Sequence, residues 1–236
     1  NPQVQPIMRT RDGPRNKTGP GCGAAGRGMN TSVDTRRQAV EAWVADELDA
    51  TPEWQVASAD ASFRRYFRAQ VSRGNETFSY IAMDAPPERE NNAAFIEIAA
   101  LMAEAGLNVP RVLAADHERG FLLLTDLGTR TFLDVLDDDN ADALFGAAID
   151  ALIDWQQASR PGVLPDYDRA TLAAELELFR DWYLARHLKY TPSDAEHADI
   201  DRAFAFFPDN VGAQSPVYVH LDYMPRNLMI SDPLPG

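Results

Sequence analysis

The chain has one cysteine in its 236 residues, Cys22, so no disulfide can close within it, and the reducing cytoplasm is the compartment that fits. No apolar run approaches the roughly 20 residues that a membrane-spanning helix needs, and the first residues lack the apolar stretch of a secretory signal. Positive charge is scarce as well: 22 Lys and Arg stand against 36 Asp and Glu, for a formal net charge of −14. So acidic a body argues against nucleic acid or an anionic membrane as the main partner. It leaves room for a nucleotide, whose phosphates need a few local cations and Mg2+ rather than a basic surface. No internal repeat is visible.

What is present begins with an apolar content of 45%, ordinary for a globular chain with a real core. Residues 1–28 stand apart, with six Gly, four Pro, five Lys or Arg and one Asp. Such a stretch buries too little surface to offset its ordering entropy, so residues 1–30 are expected to form a disordered leader. Met29 is the expected natural start, the leader being a gene-boundary artefact; a basic, Gly-rich phosphate-binding arm is the alternative.

Helical spacing of Val33, Val40, Trp43, Val44 and Leu48 predicts a helix over Thr31–Ala50, capped by Ser32 or Asp34. Strands are predicted over Trp54–Ser58, Phe63–Val71 and Phe78–Asp84, then a helix over Glu88–Ala105 closed by Gly106. In the second strand Phe63, Arg65, Phe67, Ala69 and Val71 share one face, and Arg64, Tyr66 and Arg68 the other. Val112–Asp116 and Phe121–Leu127 read as a hairpin around Gly120. After Gly128 the pattern turns helical, over Thr131–Leu136, Ala141–Ser159, Ala170–Tyr190 and Ser193–Phe207, punctuated by Pro161, Pro165, Pro192 and Pro208. Strands first and helices afterwards predict an α+β protein of two lobes, residues 31–128 and 129–236, with Gly128 at the hinge.

Near the end stands His220-Leu221-Asp222-Tyr223-Met224-Pro225-Arg226-Asn227, between the apolar runs Val217–Val219 and Leu228–Ile230. His-x-Asp-x-x-x-x-Asn has the spacing of a kinase catalytic loop. An Asp at its centre can take a hydroxyl proton, and the Asn five residues on can ligate a metal riding on nucleotide phosphates. Asp222 is therefore the candidate base, Asn227 the candidate Mg2+ ligand and His220 the brace. The same residues would also suit a plain hairpin turn beside a core histidine.

Four further segments occur in order: Ala61-Ser62-Phe63-Arg64-Arg65-Tyr66-Phe67-Arg68, Tyr80-Ile81-Ala82-Met83-Asp84-Ala85-Pro86-Pro87-Glu88, Val109-Pro110-Arg111-Val112-Leu113-Ala114-Ala115-Asp116 and Phe121-Leu122-Leu123-Leu124-Thr125-Asp126-Leu127-Gly128. Together with the loop, the chain from about residue 34 onward resembles the aminoglycoside-phosphotransferase-like kinases. Within that family it is most similar to the bacterial anomeric kinases of N-acetylmuramate and N-acetylglucosamine. The resemblance implies a protein-kinase-like two-lobed fold, ATP with Mg2+, and phosphoryl transfer to an amino sugar in cell-wall recycling. An acidic helical lobe leaves an aminoglycoside-type acceptor open.

Carried onto this sequence, the resemblance puts Ala59-Asp60-Ala61-Ser62 at the phosphate-covering loop, with Ser62 as a donor. Leu124 and Asp126 fall on the strand that meets the adenine. Met83 stands where protein kinases carry a phosphate-binding Lys, so Arg64 or Arg65 is expected to supply the charge, positioned by Glu97. Trp182, Tyr183 and His187 are candidates for stacking on or hydrogen-bonding a sugar ring. The family's second metal-binding Asp, in an Asp-Phe-x-Asp-like segment, has no match after Asn227. The chain is thus expected to be a C-terminally truncated kinase with weak or no turnover, or a silent nucleotide-binding protein.

Overall fold

A computed structural model describes residues 34–59 and 63–236. The described chain forms two compact units. One comprises residues 34–151 with Tyr223–Gly236, the other Leu152–Asp222.

The first unit is built on five antiparallel strands: β1 (Glu53–Ala59), β2 (Arg65–Arg73), β3 (Glu76–Asp84), β4 (Val112–Asp116) and β5 (Phe121–Thr125), in the order β1-β2-β3-β5-β4. The α+β class predicted from the sequence is the one observed. Strand periodicity sends alternate residues to opposite faces, and each face carries its own helix. Helix α1 (Thr35–Leu48) sets Val40, Trp43 and Val44 against Phe67, Ala69, Ala82, Phe121 and Leu123. Helix α2 (Asn92–Glu104) sets Phe95 and Ile96 against Met83, Ala85, Leu122 and Leu124 on the other face.

Local chemistry fixes the ends of these elements. Asp34, one of the two expected caps, caps α1 by accepting the Arg37 amide at 3.0 Å; Ser32, the other, lies outside the described residues. Helix α2 begins at Asn92, capped by Asn91, four residues later than expected. The chain ahead of it is instead turned by Pro86, whose carbonyl accepts from the Arg89 and Glu90 amides. Gly120 closes the β4–β5 hairpin at φ +73°, and its backbone lies so near β3 that a Cβ would stand 2.1 Å from the Ala85 carbonyl oxygen. Only glycine fits there.

Beyond Gly128, Thr131 and Asp134 cap the short α3 (Phe132–Val135). Helix α4 (Ala141–Gln157) follows. Phe132, Leu144 and Ala148 bury themselves with Leu228 in a third cluster.

In the second unit α5 (Arg169–Leu178) runs into a π-helical segment, Phe179–Leu188. Uniform α-helix was expected to Tyr190, but the turns widen after Leu178, and Lys189 stops the segment in the left-handed conformation. Helix α6 (Asp194–Gly212) carries on through Pro208, which was expected to end it at Phe207. Among the described residues no helix is long and apolar enough to cross a membrane.

Candidate active site

The stretch containing the His-x-Asp-x-x-x-x-Asn loop is fastened by neighbours on both sides. Ahead of the loop, buried Tyr218 packs on Trp155 at 4.6 Å between ring centres, and its amide donates to Ser159 Oγ at 2.8 Å. Behind it, the Tyr223 hydroxyl donates to the Ala148 carbonyl at 2.6 Å. A 3-10 turn over Pro225–Asn227 follows, and the Phe132 amide donates to the carbonyl of buried Leu228 at 2.8 Å. His220 and Asp222 belong to the helical unit, Asn227 to the sheet unit.

Two features of the loop go beyond its sequence. Burial of His220 pushes its pKa below the ordinary histidine value, against the pull of the nearby Asp222 charge. That shift favours the neutral imidazole. Leu221, between them, has φ +69°. A bulky side chain in the left-handed region is a true backbone outlier, and such strain gathers at functional sites.

The structure separates the candidate nucleotide residues into different roles. Ser62 lies outside the described residues. Leu124 is core, only 2% exposed, and its backbone is registered against Ile81 on one side and Val112 on the other. The first residues past the sheet are Asp126–Gly128. Asp126 accepts from Arg68 through both oxygens, at 2.6 and 3.1 Å, and from the Ser79 hydroxyl and the Gly128 amide. Burial works to raise its pKa, but those donors hold the carboxyl below the usual range. Arg68 also donates to the Gly128 carbonyl at 2.7 Å. Asp126 thus braces the exit from β5.

Arg64 and Arg65 face opposite ways, as alternation requires. Arg65 turns to the α1 face and pairs with Asp84 and Asp34. Asp84 is wholly buried and is held by Arg36 as well. Arg64 turns to the α2 face, pairs with Glu90 at 2.9 Å and lies over the Phe95 ring at 5.3 Å. Glu97, the expected partner, is exposed on α2. Sequence reasoning missed both Glu90 and Arg68. Alternation already put Arg68 on the right face, but nothing in one sequence says that β5 leaves the sheet beside it. Met83, expected at the position of the kinase lysine, is fully buried in the α2-side core.

The acceptor candidates share the π-helical segment. Tyr183 stacks between Phe179 (5.4 Å) and His187 (5.7 Å) on an exposed face, and the Arg186 guanidinium lies 3.9 Å from the Trp182 ring centre. A shallow cavity of about 260 Å³ opens beside them, lined by Phe179, Leu184, Tyr190, Pro192, Glu196, Asp199 and Ile200. Trp182, Tyr183 and His187 do not line it.

The chain belongs to the APH phosphotransferase enzyme family, whose model matches residues 53–236. Among curated proteins it is 48% identical over 216 residues to the N-acetylmuramate/N-acetylglucosamine kinase of Pseudomonas aeruginosa, covering 87% of this chain and 63% of the relative. The protein of the same name from Pseudomonas putida is 46% identical over 214 residues, covering 86% of this chain and 62% of the relative. That from Neisseria meningitidis serogroup B is 40% identical over 184 residues, covering 76% and 54%. The chain therefore spans less than two thirds of the length of these curated relatives.

Proposed function

We propose that the protein of which this chain is all or part is an ATP- and Mg2+-dependent cytoplasmic kinase. It transfers the γ-phosphoryl group to the anomeric hydroxyl of N-acetylmuramate or N-acetylglucosamine. The observation that carries this reading is the 48% identity over 216 residues to a kinase named for those two sugars. The loop residues support it by their chemistry.

In this reading the Asp222 carboxylate accepts a hydrogen bond from the sugar hydroxyl, aims its oxygen at the γ-phosphorus and takes the proton as the O–P bond forms. The bond to the β,γ-bridging oxygen breaks and ADP leaves. Neutral His220 holds the loop backbone behind Asp222. Bound Mg2+ would neutralise the charge on the transferring phosphoryl group. This ion takes oxygen ligands, keeps several waters and uses one or two protein groups beside substrate phosphates. Asn227, exposed and carrying an amide oxygen, fits that demand. Among the described residues no three His, Cys, Asp or Glu side chains gather into a metal cage, so the phosphates themselves would complete the set.

The test is calorimetric binding of Mg·ATP to the chain, with ADP release measured against N-acetylmuramate, N-acetylglucosamine and an aminoglycoside. Mg·ATP binding, with any turnover confined to the amino sugars and abolished by Asp222→Ala, is the expected result. Absence of nucleotide binding, or turnover only with the aminoglycoside, would overturn the proposal.

A further inference from the structure

Phosphoryl transfer needs a cation on the transferring nucleotide's phosphates, and in protein kinases a β3 lysine held by a glutamate provides it. The residue expected at that position here is Met83, packed at 0% exposure among Ala85, Leu122 and Leu124. A net charge of −14 makes a built local cation all the more necessary.

The β2–β3 register narrows where that cation can be. Tyr66 sits opposite Met83 and Arg68 opposite Ile81. With period two, Arg64, Tyr66 and Arg68 point to the face that carries Met83. Arg65 points to the other face, where Asp84 and Asp34 take it up. Arg68 is on the right face but is 8% exposed and is used by both oxygens of Asp126 and by the Gly128 carbonyl. Arg64 lies one step along the strand from Tyr66, diagonal to Met83, at the end of the sheet away from Asp126.

Arg64 is also mounted as a positioned cation would be. Its Nε lies 2.9 Å from Glu90 Oε2, with 16% of the arginine side chain and 8% of the glutamate side chain exposed. Phe95 supports the guanidinium plane from α2. Glu90 Oε1 accepts the Phe63 amide at 3.2 Å, so the same carboxylate fixes the start of the Arg64 segment. A guanidinium is a planar fork of five N–H groups, and it can serve a carboxylate along one edge and a phosphate along another.

We propose that Arg64, held by Glu90, is the triphosphate-binding cation of this protein, doing from the residue just ahead of β2 what a lysine on β3 does in protein kinases. The proposal deepens the kinase reading above and rests on it. Glu90 is a positioning residue in this scheme, and Arg64 the one that touches the nucleotide.

The experiment measures binding of Mg·ATP and of adenosine to the 236-residue chain, native and substituted, with the thermal midpoint of each variant. Arg64→Gln should weaken Mg·ATP at least tenfold and leave adenosine unchanged, because a charge-assisted phosphate contact is lost while the base contacts stay. Arg64→Lys should recover part of that loss. Glu90→Gln, which keeps the shape and removes the charge, should weaken Mg·ATP by a smaller factor, and it serves where Arg64→Gln folds poorly. Native Mg·ATP affinity in both Arg64→Gln and Glu90→Gln would overturn the proposal and leave the kinase reading standing. Equal losses for ATP and adenosine with a lowered thermal midpoint would overturn it in favour of a structural ion pair. A native chain that binds neither ligand would sink the kinase reading and this proposal together.

Discussion

The sheet unit and the helical unit are stabilised in different ways. In the sheet unit both faces are covered, and Val40, Val44, Ala69, Ala82, Met83 and Leu122 are 0% exposed. In the helical unit Trp155, Leu184 and Tyr218 are buried, while Phe206 is 63% exposed, Leu188 50% and Tyr183 49%. With less of its apolar surface buried, this unit leans more on caps at its helix ends and on an ion pair between its helices. Asp168 caps α5, Ser193 and Glu196 form a capping box on α6, and Arg180 pairs with Asp201. Apolar burial is non-directional and cooperative, whereas capping bonds act within a turn or two. One unit should therefore resist unfolding as a block, and the other should open locally at lower cost.

The largest test of that contrast is the Asp84 cluster. Removing both its arginines with Arg36→Ala and Arg65→Ala leaves a fully buried carboxylate without charge partners. Stranding a buried charge in this way costs about 3–5 kcal/mol, so the urea midpoint of the sheet unit should fall steeply. A midpoint that moved little would mean that Asp84 is not stabilised as a charge. The next test pairs two phenylalanines. Phe132→Ala empties a site of 0% exposure and should cost about 3–5 kcal/mol. Phe206→Ala alters a side chain that is 63% exposed and should stay within about 0.5 kcal/mol. Equal costs would erase the difference between the units.

How much of this was legible in the sequence divides along the same line. Period-two alternation put Arg64 and Arg68 on one face of β2 and Arg65 on the other, and the structure has them so. Gly120 and Gly106 marked ends that the backbone confirms with φ of +73° and +84°. Those signals are local, so one sequence carries them. The partners of the arginines were not legible, because Arg64–Glu90 and Arg68–Asp126 join residues 26 and 58 apart and depend on strand register. Helix length failed for a similar reason. Pro208 reads as a stop, yet α6 runs through it, and nothing in the apolar pattern after Leu178 announces a π-helical turn. Of the site, the loop spacing was readable. The left-handed Leu221 and the depressed pKa of His220 were not, since both come from how the loop is packed.

Leu221 gives a smaller test, at the loop that joins the units. A left-handed conformation costs a residue with a Cβ about 1–2 kcal/mol, and branching at Cβ makes it worse. Leu221→Ile should therefore lose about 1 kcal/mol. Leu221→Gly should lose nothing, since the strain it relieves offsets the backbone freedom that glycine adds. A tolerated isoleucine would show that the loop relaxes out of the left-handed region at no cost.

The smallest effect tests whether the helical unit does rest on its caps. The Tyr190 hydroxyl, followed by the Ser193 amide and hydroxyl, draws the Glu196 pKa from 4.5 down to about 2. Since the folded value lies below the unfolded one, the unfolded chain binds the proton more readily between the two. The stabilisation is thus complete above about 4.5 and is lost as pH falls towards about 2. Glu196→Gln removes the titrating group, so the difference in thermal midpoint between native and variant chains should be full at about pH 6 and shrink steadily below about pH 4.5. The group is exposed, and water and salt screen it, so the shift should be modest and should fade with added salt. A midpoint difference that stayed constant from neutral pH into the acid range would mean that the glutamate acts through its shape alone. The capping box would then be neutral hydrogen bonding, and the charge on Glu196 would contribute nothing to holding α6.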